Sequence, residues 1–248
     1  MKMKNIRVSI ITPCFNSEST IERTVKSVLG QTYENLEYLI IDGGSTDRTL
    51  ELAGKYEPLF RGRMRIISEP DHGIYDAMNK GIKHASGELI GIINSDDYYE
   101  PDTVENVVSA MSDKEYQILY GMMRIINGGI ETKVTMPKHE NLSEEMIAHP
   151  TCFVTKKVYT DFGMFDTKYR SCADHDFMLR MREHPEVTFV PVYKILASFT
   201  EGTGMSSQGS SMMEAFGMLK AHGILSERQY RSISVSYQIK KLLKFGKS

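Results

Sequence analysis

The chain reads as an α/β protein built on an open, mostly parallel sheet flanked by helices, and three observations predict it. Short apolar β-type runs alternate with helically spaced segments through residues 1–100, the pattern of parallel βαβ units. Each of the first four runs ends in a polar loop, and the fourth, ELIGIINSDD, delivers Asp96 and Asp97 at its carboxyl end. The 248 residues are 41% hydrophobic, enough to bury a core without disulfide or metal staples.

The elements follow in order. Arg7 to Thr12 is a strand. Ser19 and Glu22 form a capping-box pattern for a helix whose Ile21, Val25, Val28 and Leu29 line one face. Leu36 to Ile41 is the second strand, followed by the loop Asp42 to Asp47, a helix through Leu50 to Tyr56 and a strand at Met64 to Ser68. After the loop EPDHG, the spacing of Ile74, Ala77, Met78 and Ile82 predicts a helix that ends by Gly87, and Leu89 to Ile93 is the strand that leads to the acid pair. Beyond Pro101 the pattern becomes mixed. Val104, Val107, Val108 and Met111 mark a helix, with strands at Gln117 to Tyr120, Met122 to Asn127 and Glu131 to Met136, the last two joined by the hairpin turn Asn127-Gly128-Gly129. Cys152 to Thr155 and Thr188 to Val192 are further strands. Glu201 to Ser211 is a Gly/Ser/Thr-rich loop, and helical patterns at about Met212 to His222 and Glu227 to Phe245 close the chain.

Composition narrows the partners. With 30 basic and 32 acidic residues no global field points to nucleic acid. Cys14, Cys152 and Cys172 are an odd set without CxxC or His spacing, which argues against a disulfide framework or a zinc site and for a reduced, cytoplasmic setting. The basic start and its apolar run are too short, and too soon broken at Thr12 and Pro13, for a signal peptide or membrane span. The sixteen methionines are read as gap fillers in the core.

In a parallel sheet the loops Pro13 to Asn16, Asp42 to Ser45, Asp71 to Gly73 and Ser95 to Asp97 leave one edge and converge there. They combine an aromatic ring, carboxylates and an anchor for a divalent cation, a set that fits a nucleoside diphosphate. No GxxxxGK[ST] or GxGxxG occurs, so the cation must supply the positive charge. The local alternative for Asp96 and Asp97 is a turn or cap before the helix opened by Pro101 and Asp102.

SIITPCFN, YLIIDGGSTDRT, EPDHGIYDAMNKGIKHASGELIGIINSDDYYEPD and GMFDTKYRSCADHDFMLRM, in that order across residues 5 to 206, resemble the family 2 glycosyltransferases. The resemblance implies a GT-A fold, with a Rossmann-like nucleotide-binding half (1–100) and an acceptor-side half (101–206) in one domain, followed by a helical extension (207–248). It implies transfer of one sugar, commonly from a UDP-sugar, to an acceptor hydroxyl with inversion, using Mn²⁺ or Mg²⁺. Carried over by position, Thr12, Pro13, Phe15 and Asn16 line the nucleotide, Asp42 contacts base or ribose, and Gly43 stands where an acid is common. Asp96 and Asp97 match the DXD-type motif, with Asp97 on the metal and Asp96 on the ribose or the metal's hydration shell. Gly73, Asn79 and Lys80 complete the donor set. Asp76 shares a helix face with Asn79 and Lys80, and that face either looks toward the donor or is solvated.

An inverting displacement needs a carboxylate base. Asp174 aligns with the acid of the family's Glu-Asp motif, with Ala173 in place of the glutamate. Its alternative role is an N-cap. Residues two apart on a helix point roughly 200° apart, so Asp174 and Asp176 cannot both face one site, and Arg180 lies at i+4 from Asp176 for an ion pair. His149 and Asp176 are placed on the acceptor side, His149 as acceptor contact, metal ligand or plain loop histidine. Gly202 to Ser211 either orders over the donor or is a linker. The absence of tryptophan and of QxxRW points away from processive members. In the last helix Val235, Ile239, Leu242 and Leu243 form a stripe beside Lys240, Lys241, Lys244 and Lys247, which either lies on anionic lipid at the inner face of the membrane, near a lipid-linked acceptor, or packs on the core. The competing functions are a sugar nucleotidyltransferase, disfavoured because TPCFN carries no basic residue, and a non-catalytic nucleotide-sugar-binding protein.

Overall fold

The computed structural model describes residues 5–202 and 210–245, with side chains for all of these except 210, 211 and 238–245. A single sheet of nine strands organises them: β1 (Val8–Cys14), β2 (Leu36–Asp42), β3 (Met64–Ser68), β4 (Leu89–Ile92), β5 (Tyr98–Tyr99), β6 (Gln117–Asn127), β7 (Ile130–Thr135), β8 (Phe153–Thr155) and β9 (Thr188–Thr200). Their order is β3-β2-β1-β4-β8-β6-β9-β5, with β7 beside β6. The first four strands are mutually parallel, as are β6 and β9, while β8, β5 and β7 pair antiparallel. In register Cys14 faces Asp42 and Asp42 faces Ser68, so the carboxyl ends of β1, β2 and β3 are level.

The helices are α1 (Ile21–Leu29), α2 (Thr49–Gly54), α3 (Ile74–His84), α4 (Thr103–Ala110), α5 (Lys156–Phe162), α6 (Ala173–Arg182), α7 (Ser210–Ala221) and α8 (Glu227–Phe245). β1 and β2 are buried throughout, and alternate residues serve opposite cores, as the two-residue period of a strand dictates. Val8, Ile10, Tyr38 and Ile40 pack with Val25 of α1, Ala53 of α2 and Val107 of α4. Ile11, Leu39 and Ile41 pack on the other face with Met78 of α3, Tyr159 of α5, Phe177 of α6 and Met218 of α7. The result is a helix–sheet–helix sandwich in which the loops after β1 to β4 leave one edge.

Several expected boundaries change. The capping box at Ser19 does not form: Thr20 is the N-cap residue, without a side-chain cap bond, and Glu22 instead accepts from the Tyr56 hydroxyl at 2.7 Å. The two strands expected at 117–127 are one, β6, and β9 runs eight residues past the expected end at Val192, to Thr200. Pairing with a long neighbour overrides local pattern here. The hairpin turn stands, with Gly128 and Gly129 at φ 57° and 83°, the left-handed pair that a tight hairpin demands. α5 and β5 are short elements held by tertiary contacts and carry no periodic signal of their own.

The Gly202 to Ser211 loop lies largely outside the described residues. So do Lys247 and the side chains of Ile239, Lys240, Lys241, Leu242, Leu243 and Lys244. Val235 is exposed. No helix among the described residues is long and apolar enough to cross a membrane.

Candidate active site

The four strand-end loops are tied to one another at one edge. The Asn16 amide donates to Ser45 Oγ and its carboxamide oxygen accepts from the Thr46 amide; the Ser17 and Ser95 hydroxyls bond at 2.8 Å. The Glu69 amide donates to the Asp42 carbonyl. Phe15, the residue after β1, is 60% exposed.

Asp97 is fully buried. Its Oδ1 accepts from the Thr200 amide at 3.2 Å and its Oδ2 from the Asn94 carboxamide at 3.3 Å, both long bonds, while its carbonyl accepts from Thr24 Oγ1 at 2.6 Å. Burial, with the charge of Asp96 next to it, pushes the carboxyl up to about 8. On the same Asn94 carboxamide, Oδ1 is buried without a hydrogen-bond partner. The turn therefore holds an under-satisfied carboxylate and an orphaned carbonyl oxygen, the hard oxygen donors that Mg²⁺ or Mn²⁺ prefers. Among the described residues no group of three or more His, Cys, Asp or Glu gathers at one point. That suits a cation held by one or two carboxylates and completed by substrate phosphates and water. The residues fit a divalent cation. Arg23 braces this turn from α1, donating to the Asp96 carbonyl at 2.5 Å and to Thr200 Oγ1 at 2.7 Å, with its guanidinium over the Tyr98 ring.

Asp174 lies in the first turn of α6, so it is not the N-cap residue. Its Oδ1 accepts from the Tyr75 hydroxyl at 2.8 Å and from the His175 amide at 3.0 Å. Tyr75 belongs to the first turn of α3, which starts at the carboxyl edge after β3, so this bond ties Asp174 to that edge. His149 opens the short turn before β8, buried, its ring edge-on to Phe165 at 5.5 Å. Burial lowers its proton affinity, against the opposing pull of Asp174.

Other expected residues face inward. The Asp42 carboxylate is buried and accepts from Gly44 N, Ser45 N, Ser45 Oγ and Ser68 Oγ, so it shapes the loop and has little left for a base or ribose. Thr12 Oγ1 accepts from the Tyr38 hydroxyl inside the core, and Pro13 is buried. The Asn79 carboxamide pairs with both backbone groups of Phe165, at 2.9 and 3.1 Å. Lys80 donates to the Pro70 carbonyl at 2.7 Å and pairs with Glu69 and Asp76, contacts that staple the loop to α3. Gly73, at φ 116°, is the N-cap of α3. Asp176 is buried, with Arg180 Nε on one oxygen at 2.8 Å and His222 Nε2 on the other at 2.9 Å, so it ties α6 to the end of α7.

Asp71 was not singled out by the sequence. A Cβ at Gly43 would meet Asp71 Oδ2 at 2.4 Å, so the Asp71 carboxylate fills the space that a side chain at position 43 would take. The signal in the sequence is the pair itself, an acid missing after Asp42 and an acid present in EPDHG.

The profile of Glycosyl transferase family 2 matches residues 9–181. An uncharacterized glycosyltransferase of Mycobacterium tuberculosis is 34% identical over 229 residues, covering 89% of this chain and 84% of that protein. A PGL/p-HBAD biosynthesis glycosyltransferase of the same organism is 29% identical over 201 residues, with 80% and 78% covered. The chondroitin synthase of Pasteurella multocida is 36% identical over 184 residues, 71% of this chain but 19% of that protein. Among solved structures, S. aureus TarS in complex with UDP-GlcNAc superposes with a TM-score of 0.70 at 19% identity, over 91% of this chain and 69% of that one. A mannosyltransferase of Pyrobaculum calidifontis in complex with GDP-Man and Mn²⁺ gives 0.63 at 16% identity, over 88% and 63%. At these identities the structural likeness speaks to fold alone, and the fold is of GT-A type.

Proposed function

The chain belongs to glycosyl transferase family 2, and on that premise we propose that it moves one sugar from a UDP-sugar to an acceptor hydroxyl with inversion, the acceptor being a lipid-linked glycan in polysaccharide assembly. The observation that supports the reading is Asp97, buried and short of partners in the loop after β4, with Asp174 bonded to Tyr75 at the start of the helix that follows β3. The UDP-GlcNAc complex of TarS supports the donor class, and a PGL/p-HBAD biosynthesis glycosyltransferase and a chondroitin synthase among the relatives support a glycan-building role.

In this mechanism the Phe15 ring stacks on the base. Asp71, in the space beside Gly43, accepts from a base N–H in the place of the acid expected at 43 or at Asp42. Asp96 takes ribose hydroxyls, and Asp97 with the Asn94 carbonyl oxygen would hold a divalent cation, Mn²⁺ or Mg²⁺. Such a cation supplies charge stabilisation to the departing diphosphate. Asp174, with Oδ1 fixed by Tyr75 and the His175 amide, keeps Oδ2 for the proton of the attacking hydroxyl. His149, buried, contacts the acceptor.

Calorimetric titration of UDP with Mn²⁺ or with chelator, on wild type and Asp97→Ala, tests the donor site. Binding is expected to need both Mn²⁺ and Asp97; equal affinity in all conditions would end the metal assignment.

A further inference from the structure

The helix that carries Asp174 receives no side-chain cap from its N-cap residue; within its first turn the His175 amide is met by a side chain, through Asp174 Oδ1. Cys172 is the N-cap residue of α6 and makes no side-chain cap bond, although helix starts ordinarily satisfy their amides through Ser, Thr, Asp or Asn. The stretch of chain just before that N-cap is held instead from α7. Glu214 accepts from the Arg170 amide at 2.7 Å, the Ser171 amide at 2.6 Å and the Ser171 hydroxyl at 2.5 Å, all on the strand of chain that enters α6. His222, just past α7, reaches Asp176 Oδ1 at 2.9 Å. These contacts bracket Asp174, three residues after Ser171 and two before Asp176. Between them Met218 is fully buried in the core that contains Tyr75 and Phe177, with Ala215 and Leu219 packed beside it. Burial works against the charge of Glu214, yet the amides and hydroxyl outweigh it and hold the group below the usual carboxylate range.

A helix N-terminus tied at its entrance and again one turn later has its axial position and rotation set by the outside partner. Asp174, between the two ties, is the residue whose direction that rotation decides. We propose that Glu214 is a positioning residue, which acts through the Arg170–Ser171 backbone to aim Asp174 at the acceptor hydroxyl; the proposal rests on Asp174 being the base.

The test uses the full chain, Mn²⁺ and UDP release from UDP-N-acetylglucosamine, or whichever UDP-sugar wild type turns over, with water in the acceptor's place. In Glu214→Ala, kcat is expected to fall about tenfold or more, because small misplacements of a reacting group are expensive. Glu214→Gln, which keeps one acceptor oxygen, should fall less, and UDP affinity in both should stay within about twofold, the split that separates a transition-state role from uniform binding. Should Glu214→Ala fail to fold, Glu214→Gln and Ser171→Ala carry the same comparison. Unchanged kcat in these variants, or a loss of kcat matched by an equal loss of UDP binding, overturns the positioning role. Asp174→Asn is assayed alongside: full activity there would remove Asp174 as base, whereas an inactive Asp174→Asn beside a fully active Glu214→Ala would remove only Glu214.

Discussion

Two buried carboxylates at opposite edges of the sheet meet opposite fates. Glu37 stands near the amino end of β2 with its side chain 4% exposed. Its Oε1 accepts from Ser9 Oγ at 2.5 Å and from the amide and hydroxyl of Ser86 at 2.5 and 2.8 Å, and Arg7 and Arg65 lie 3.4 and 3.5 Å from Oε2. Burial opposes its charge, but these partners prevail and its proton affinity falls. Asp97, at the carboxyl edge, has two long hydrogen bonds, a like charge beside it and an affinity raised to about 8. Burial is common to both, so satisfaction separates them: a buried acid supplied with donors is structural, and one left short is where a cation or ligand belongs.

The largest test inverts the usual cost of losing a charge. Asp97 binds its proton more tightly folded than unfolded, so its contribution to stability is complete below the unfolded value of about 3.9 and is lost as pH rises to about 8. Metal-free Asp97→Asn escapes that loss and is expected to be more stable than wild type at pH 8 by roughly 2–5 kcal/mol, with the gap closing toward pH 4, in urea titrations. A less stable variant at pH 8 would mean that the acid is well satisfied after all.

Glu37→Gln sharpens the comparison from the other edge. It sets an amide NH₂ among donors and is expected to cost about 1–3 kcal/mol at pH 7 with UDP binding untouched. Because the folded affinity of Glu37 is lowered, its stabilisation holds above about 4.3 and is lost as pH falls through the folded value, so wild type and variant should converge in acid. A constant difference across pH 3–7 would assign the effect to shape rather than charge.

The smallest expected effect is at Phe15. An exposed ring contributes little to folding, so Phe15→Ala should change stability by less than about 0.5 kcal/mol. UDP affinity should weaken by about 1 kcal/mol, some fivefold, by calorimetry if the ring stacks on the base. No change in affinity would leave the base to Asp71 alone.

What was readable beforehand was local. The alternation of β1 through β4 and the delivery of NSDD at a strand end follow from hydrophobic period and loop composition, and the Asp176–Arg180 pair follows from helical spacing. What was missed depends on distant partners. Asp42 and Asn79 look like ligand contacts until Ser68 and Phe165 occupy them, 26 and 86 residues away. Asp71 acquires its place only because Gly43 leaves room for it.

The amino-acid sequence by itself determined the sheet, the edge where its loops converge and the residue types gathered there, because apolar period, glycine and helix spacing act over a few residues. Which carboxylate is left short of partners, and which is aimed by Tyr75 and tied down through Glu214, was decided by the tertiary structure. Proton affinity and side-chain direction are set by groups such as Thr200 and Tyr75, which lie 103 residues from Asp97 and 99 from Asp174 along the chain and meet them only when it folds.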